Sequence, residues 1–349
     1  MSLIVDERKS IALKHVSLYS QINERREEDK HSFQENKFIT TIKKNTAKYN
    51  LDNISRTKAY AAYFNRNPEI KWAFLASMVS RNAGWNMTDL QGRWFSLALD
   101  WQKRFPIFLT YEMANWLIFN DAYPQLLLYE LSLHYNRPFF HLLKEFNVSC
   151  FMEAEWQCFW EEGDKERLMT SLIINEQNLI QEPVLQNKKI KRKVFGTSVY
   201  AFQDMGHFSC VIFPTLEGRL YGYSVHGFQK LDNRIELGKK LAALLFFDEL
   251  KDSFYNFSLQ TEHTGSRYDY EQYLHGNSYR ETPFLRGVYP VIPHEKVKTQ
   301  NDWVFGQAKH ISKWRKPISP VINGKMDITK WFIHKQHQMH SLIALKSWL

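Results

Sequence analysis

The chain is poor in cysteine. Its 349 residues hold only Cys150, Cys158 and Cys210, with no CxxC pair. An odd, scattered set of thiols excludes a disulfide framework and a thiolate zinc site, and points to a reducing compartment. Long apolar runs are lacking too. The longest, such as Leu241 to Phe247, fall far short of the ~18–20 residues that cross a bilayer, and Asp6, Glu7, Arg8 and Lys9 interrupt the N-terminus before a signal-peptide core can form. The expectation is a cytoplasmic protein with no transmembrane segment. Walker loops, dinucleotide fingerprints, zinc knuckles, internal repeats and low-complexity tracts are also absent.

What is abundant is core material. The sequence is 44% hydrophobic and 15% aromatic, with 11 Trp and 25 Phe, which excludes wholesale disorder and predicts a globular protein of two interlocked halves. The net charge of +9 is unevenly placed. Residues 295–349 carry ten Lys or Arg against Glu295, Asp302 and Asp327, whereas residues 153–182 carry eight Asp or Glu against Lys165 and Arg167. A solvated basic face is one reading of the C-terminal surplus, and an anionic ligand or surface as partner is the other.

Residues 1–50 are charged and weakly patterned and read as a polar helical arm outside the core. A helical half, 51–183, follows. Asn67 is expected to cap a buried helix with Pro68 in its first turn, Gly84 to end it with a left-handed cap, and Thr88 with Gln91 to box the start of the next, striped Leu90, Trp94, Leu97, Ala98, Trp101, Phe105. Pro106, Pro124 and Pro138 then punctuate further helices, and two more are separated near Gly163 and Asp164. The basic run Lys188 to Lys193 marks the junction to the second half, 184–349, in which residues 194–228 have the β-branched, aromatic and Gly content of short strands. Helices resume near Asp232 and over Asp327 to Trp348, where Phe332, Met339 and Ile343 form a stripe that can dock. The fold class is mainly α, a multi-helix bundle with a small strand-bearing segment.

The segment Ser80 to Asp89 (SRNAGWNMTD) packs polar groups and a Trp between two apolar helical patterns. A projection of about 100° per residue turns Arg81 inward with Ile70 and Phe74, and turns Asn175 and Glu176 toward Leu168, Met169, Leu172 and Leu179. A buried carboxylate needs a partner, and Arg81 is the expected one for Glu176, either as a structural pair or as part of a site. His263, Thr264, Gly265, Ser266 and Arg267 make a turn able to present donors to an anion, unless Asp269 and Glu271 clamp the Arg. Arg81, Asn82, Trp85, Asn86, Asp89, Asn175, His263, Ser266 and Arg267 are the candidate ligand-binding residues, and Glu176 is the candidate catalytic one. Metal sites are not expected: Glu153, Glu155, Glu161 and Glu162 read as a solvated face, and although two of His334, His337 and His340 could chelate an ion, the three fan out too widely to share one and read as surface histidines. Gly222 to Gly227 lacks the second Gly of a nucleophile elbow and reads as a strand with a turn. No cofactor is indicated.

The same stretch, with Asn67, Pro68, Glu69 and Ile70 upstream, resembles a signature of the YppC-like family of uncharacterised bacterial proteins. The resemblance runs from about Asn53 to the end and is most specific over Ile70 to Leu90, Glu155 to Val184, Gly222 to Phe246 and His263 to Tyr273. It implies one long family domain and carries no residue role with it. The functional expectation is therefore a helical binding protein with a polar pocket near 80–89 and an anion-facing basic C-terminal surface. The alternatives are an enzyme using Glu176 as acid or base beside Asn82, Asn86, Asp89 or His207, or a nucleic-acid or membrane-surface protein acting through Trp303, Trp314 and Trp331.

Overall fold

Several helix starts in this protein are set by side-chain oxygens. In the computed structural model, which describes residues 19–24, 31–195, 210–225, 227–274, 281–294, 302–318 and the backbone of 327–348 with side chains to 344, Ser32 opens α1 (Phe33–Tyr49) with a capping box to Glu35. Asp52 caps α2 (Asn53–Arg66) through the Ser55 N–H. α3 (Lys71–Asp89) starts without a side-chain cap and is followed by the short α4 (Arg93–Ala98). Asp100, Ser149 and Asp164 cap α5 (Trp101–Tyr135), α6 (Cys150–Glu162) and α7 (Lys165–Leu179), with a 3₁₀ turn, Phe140–Phe146, between α5 and α6. After a run of π-type turns over Gln181–Phe195 come an antiparallel hairpin, β1 (Cys210–Pro214) and β2 (Leu220–Ser224), and then α8 (Leu231–Leu245), α9 (Lys251–Gln260), α10 (Val304–Trp314) and α11 (Thr329–Trp348). The fold is mainly α. None of the described helices is long and apolar enough to cross a membrane.

α3 is the central element, packed by α2, α5, α7, α8 and β1. Its apolar half places Trp72, Phe74, Leu75 and Met78 in a core that runs from Tyr19 to Phe332. That span corrects the expectation of an N-terminal arm outside the core, because Tyr19, Ile39 and Ile42 are buried in it. Several local expectations change for the same reason, that tertiary contacts outweigh local signals. Asn67 closes α2 instead of opening α3, and its side chain donates to Glu130 at 2.7 Å. α3 continues through Gly84, and Thr88 donates to the carbonyls of Trp85 and Gly265 instead of boxing a new helix. The stripe from Leu90 to Phe105 is broken between α4 and α5, with Leu97 and Trp101 exposed. Pro106 and Pro124 lie inside the single helix α5, where burial of Phe119, Tyr123 and Leu126 offsets the hydrogen bonds their rings remove.

Other expectations hold. Gly163, at φ 70°, ends α6 and Asp164 starts α7. Of the inner stripe that periodicity gives for the helix near Asp232, Ile235, Gly238, Ala242 and Leu245 are buried on α8, while Phe246 is half-buried at its C-terminal cap. Gly222 lies in β2 against Ile212, where a Cβ would meet the Val211 carbonyl. Val194 and Phe195, expected in a strand, are instead in a π-type turn, and the rest of that expected strand, with His207 and Phe208 beyond it, lies outside the described residues. α11 docks through buried Phe332, while Ile328 donates to the Leu220 carbonyl at 2.8 Å beside β2.

Candidate functional site

Because α3 is buried nearly all round, each polar side chain in its second half has to find a partner. Arg81 donates to the carbonyls of Ser258 and Thr261 at the C-terminal end of α9, at 2.9 and 3.0 Å, and lies over the Phe257 ring. Burial pushes its guanidinium down to about 10, against the pull of Asp269. Asn82 brackets β1, donating to the Ile212 carbonyl at 2.7 Å and accepting its N–H at 2.8 Å. Asn86 is half-buried.

The expected pair of Arg81 with Glu176 does not form. Glu176 is half-buried beside Trp72, whose indole donates to it at 3.2 Å, and Trp72 precedes Arg81 by nine residues, about 13 Å along a helix. The projection gave the inward direction and not the neighbour. Burial pushes Glu176 up to about 7, with Gln177 and Trp72 pulling down. Next to it Asn175 accepts from Ser149 and Trp303 and donates to Asp121 at 2.6 Å. Asp121 is likewise pushed up to about 7 by burial.

Two polar groups form around the 263–271 segment. The first is sealed. Asp269 accepts from the Trp85 indole at 3.0 Å, from the Thr264 N–H at 3.1 Å, from the Thr264 hydroxyl and from His263 Nδ1 at 3.2 Å. Burial raises the Asp269 carboxyl, but these donors together hold it below the usual range. His263 Nε2 faces Asn53 Oδ1 at 2.8 Å, and the Asn53 amide is oriented by donating to the Ser80 carbonyl. His263, buried, has its pKa lowered by burial despite Asp269. Gly84 is required here, since a Cβ would overlap Asn53 and approach His263 Cε1 to 2.9 Å.

The second group lines a narrow cleft, with room for about one water, between the end of α3, α4, the Arg267 turn and α11. Arg267 forms its floor, paired with Glu271 at 2.7 Å, donating to Gln336 at 2.9 Å and reaching Asp89 only at 3.4 Å. Of the two expected clamps, Glu271 holds this Arg and Asp269 does not. Ser266 is fully buried and bonded to Thr282, so it shapes the turn. Burial pushes Asp89 up to about 6, against Arg267. On the walls, His340 stacks on Trp94 at 4.2 Å, and burial pushes that imidazole down to about 4. The Trp94 indole N–H is buried without an acceptor among the described residues.

The candidate residues therefore fall into separate groups: Arg81 and Asn82 as brackets, Trp85 with His263, Asp89 with Arg267, and Asn175 with Glu176. Glu155, expected on a solvated face, is buried and paired with Arg167 and Arg315. Trp303 bonds to buried Asn175, and Trp314 is itself buried with its indole donating to exposed Asp232. Sequence reasoning missed Trp94 as a site residue, and it missed a group of His31, Glu35 and His141 whose ligand atoms lie within 4.8 Å of one another. A repeated His-x-x-x-Glu, at 31–35 and 141–145, was the available signal.

Residues 48–332 match the model of a family described as "Protein of unknown function (DUF2515)". The chain is 49% identical over 313 residues to "Uncharacterized protein YppC" of Bacillus subtilis (strain 168), covering 90% of this chain and 96% of that protein. No solved structure matches it significantly. The match covers most of the chain, including every residue of the cleft except those of α11 beyond Phe332, and the chain belongs to the DUF2515 family.

Proposed function

We propose that this is a binding protein that takes a small polar ligand with an anionic acceptor group in the Arg267 cleft. The observation that carries the reading is incomplete pairing. Arg267 is held by Glu271 and Gln336, but its Nε is buried without an acceptor among the described residues, as is the Trp94 indole N–H, and both residues line one opening. A carboxylate or phosphate oxygen would satisfy both more fully. Met339 and His340 of α11 form one wall, so entry of anything larger than a water requires α11 to move outward. The His340 ring is neutral at pH 7, so it neither attracts nor repels an anion by charge. The wider anion-facing surface is the weaker half of this reading, because Lys313 and Arg315 are already paired with Asp232 and Glu155.

Calorimetry and thermal melts with inorganic phosphate and succinate, against chloride at matched ionic strength, test it. Binding should appear in the wild type and fall at least about tenfold in R267M, the removal of one charged hydrogen-bond partner. If neither probe raises the melting temperature more than chloride does, or if R267M responds equally, the reading fails.

A second reading, proton transfer at Glu176, is supported by its position near neutrality beside Trp72. Carboxyl titration by NMR should return a value near 7 that E176Q removes, and a value near 4.5 overturns it.

A further inference from the structure

We propose that His31, Glu35, His141 and Glu145 are a site for a divalent transition-metal ion, zinc in the first instance, that clips α1 to the body of the fold. The four side chains come as two identical spacings, His31 with Glu35 and His141 with Glu145. The first pair lies at the start of α1, where His31 precedes the cap Ser32, and the second lies on the 3₁₀ turn Phe140–Phe146. They meet crosswise. His31 Nε2 is 2.9 Å from Glu145 Oε1, and His141 Nε2 is 3.0 Å from Glu35 Oε1.

Two imidazoles and two carboxylates are a nitrogen and oxygen set that zinc accepts. With metal–ligand bonds of about 2.0–2.1 Å, neighbouring ligand atoms of a tetrahedral site stand about 3.3–3.4 Å apart. The two short contacts need to open by a few tenths of an ångström. The remaining spacings among His31, Glu35 and His141, all within 4.8 Å, need to close by at most about 1.5 Å, and Glu145, which sits against His31 outside that set of three, has to swing in to complete it. The group is also held in place, because the Glu35 N–H donates to the Ser32 hydroxyl in the capping box. The second oxygen of Glu35 accepts the Ser32 N–H at 2.8 Å, which orients the carboxylate from outside the ligand set. His31 and Glu35 are only 12% and 16% exposed while Glu145 and His141 are 33% and 40% exposed, so the site is walled on one side and reachable from the other. Four protein ligands close the coordination shell, which makes this a structural clip joining segments more than a hundred residues apart.

The test uses the full chain stripped with EDTA, titrated with Zn²⁺ against a chromophoric chelator and with Co²⁺ as a visible-absorbing substitute. One equivalent should bind at micromolar strength or tighter, with a tetrahedral Co²⁺ band, and zinc should slow tryptic cleavage within α1. H31Q, H141Q and E35Q should each weaken binding at least about tenfold, and H31Q/H141Q should abolish the band, while H334Q/H337Q and C158S change nothing. Far-UV dichroism without metal checks that the variants fold, and E145Q, at the most exposed carboxylate, serves if a histidine variant does not. Stoichiometric binding that survives H31Q/H141Q or E145Q, binding lost with H334Q/H337Q, or no binding by the wild type overturns the proposal.

Discussion

Asp269 and Asp89 both accompany the Arg267 turn, yet their surroundings differ in kind. Asp269 accepts from Trp85, His263 and both donors of Thr264, and it is held below the ordinary carboxylate range. Asp89 has a 3.4 Å contact with Arg267, and burial pushes it up to about 6. Burial acts in the same direction on both, and the number and quality of donors decides the sign of the outcome. A buried polar group with full pairing holds structure together. One with incomplete pairing, at the edge of a cleft, is where a ligand has something to add.

The largest expected effect breaks the sealed side. D269A leaves the Trp85 indole, His263 and Thr264 without their acceptor in a buried setting, and should cost about 3–5 kcal/mol in urea denaturation. A loss below about 1 kcal/mol would mean that Asp269 is no more essential than Asp89. G84A comes next. Its Cβ would press on Asn53 and His263, and the expected destabilisation is about 1–3 kcal/mol. A neutral result would show that Asn53 and His263 can separate freely.

The pH dependence sharpens the comparison. Asp89 has a folded pKa of about 6 against an ordinary 3.8, so the folded state holds its proton more tightly than the unfolded chain does. Its contribution to stability is complete below about pH 4 and is lost as pH rises through about 6. D89N should therefore match the wild type near pH 4 and exceed it by about 1–2 kcal/mol at pH 8, after discounting for partial solvent access. Asp269, with a lowered pKa, acts oppositely: its contribution is present above about pH 4 and disappears as pH falls further. Denaturation curves of D89N at a series of pH values would read the first slope, and a constant difference from the wild type would contradict it. The smallest stability effect belongs to W94F. Its indole N–H makes no hydrogen bond among the described residues, so the melt should stay within about 0.5 kcal/mol of wild type while any phosphate response weakens.

Much of the fold was legible. The stop at Gly163 and start at Asp164 depend on a left-handed residue followed by a cap, which are local properties. The inner face of α8 follows from helical periodicity alone. Pro124 misled because a local penalty of about 3 kcal/mol is smaller than what burying the surrounding apolar side chains returns. Gly84 misled because its reason is the approach of residues 53 and 263, both distant in sequence. At the site, Asp89 and Arg267 are identifiable from the sequence as polar groups at a turn, whereas Trp94 falls in an apolar stripe. That His340 would stack on it depends on where α11 docks.

By itself the sequence determined the helical class, the family, the inward orientation of Arg81 and the strand over Gly222, because periodicity, caps and residue size act over a few residues. The tertiary structure alone decided which partner each buried polar group takes: Arg81 the end of α9, Glu176 the Trp72 indole, Asp269 the His263 hub, and Asp89 a loose contact with Arg267. A helical projection specifies an angle about one axis, whereas a hydrogen bond needs two atoms within about 3 Å, and that distance is set only when helices from distant parts of the chain pack together.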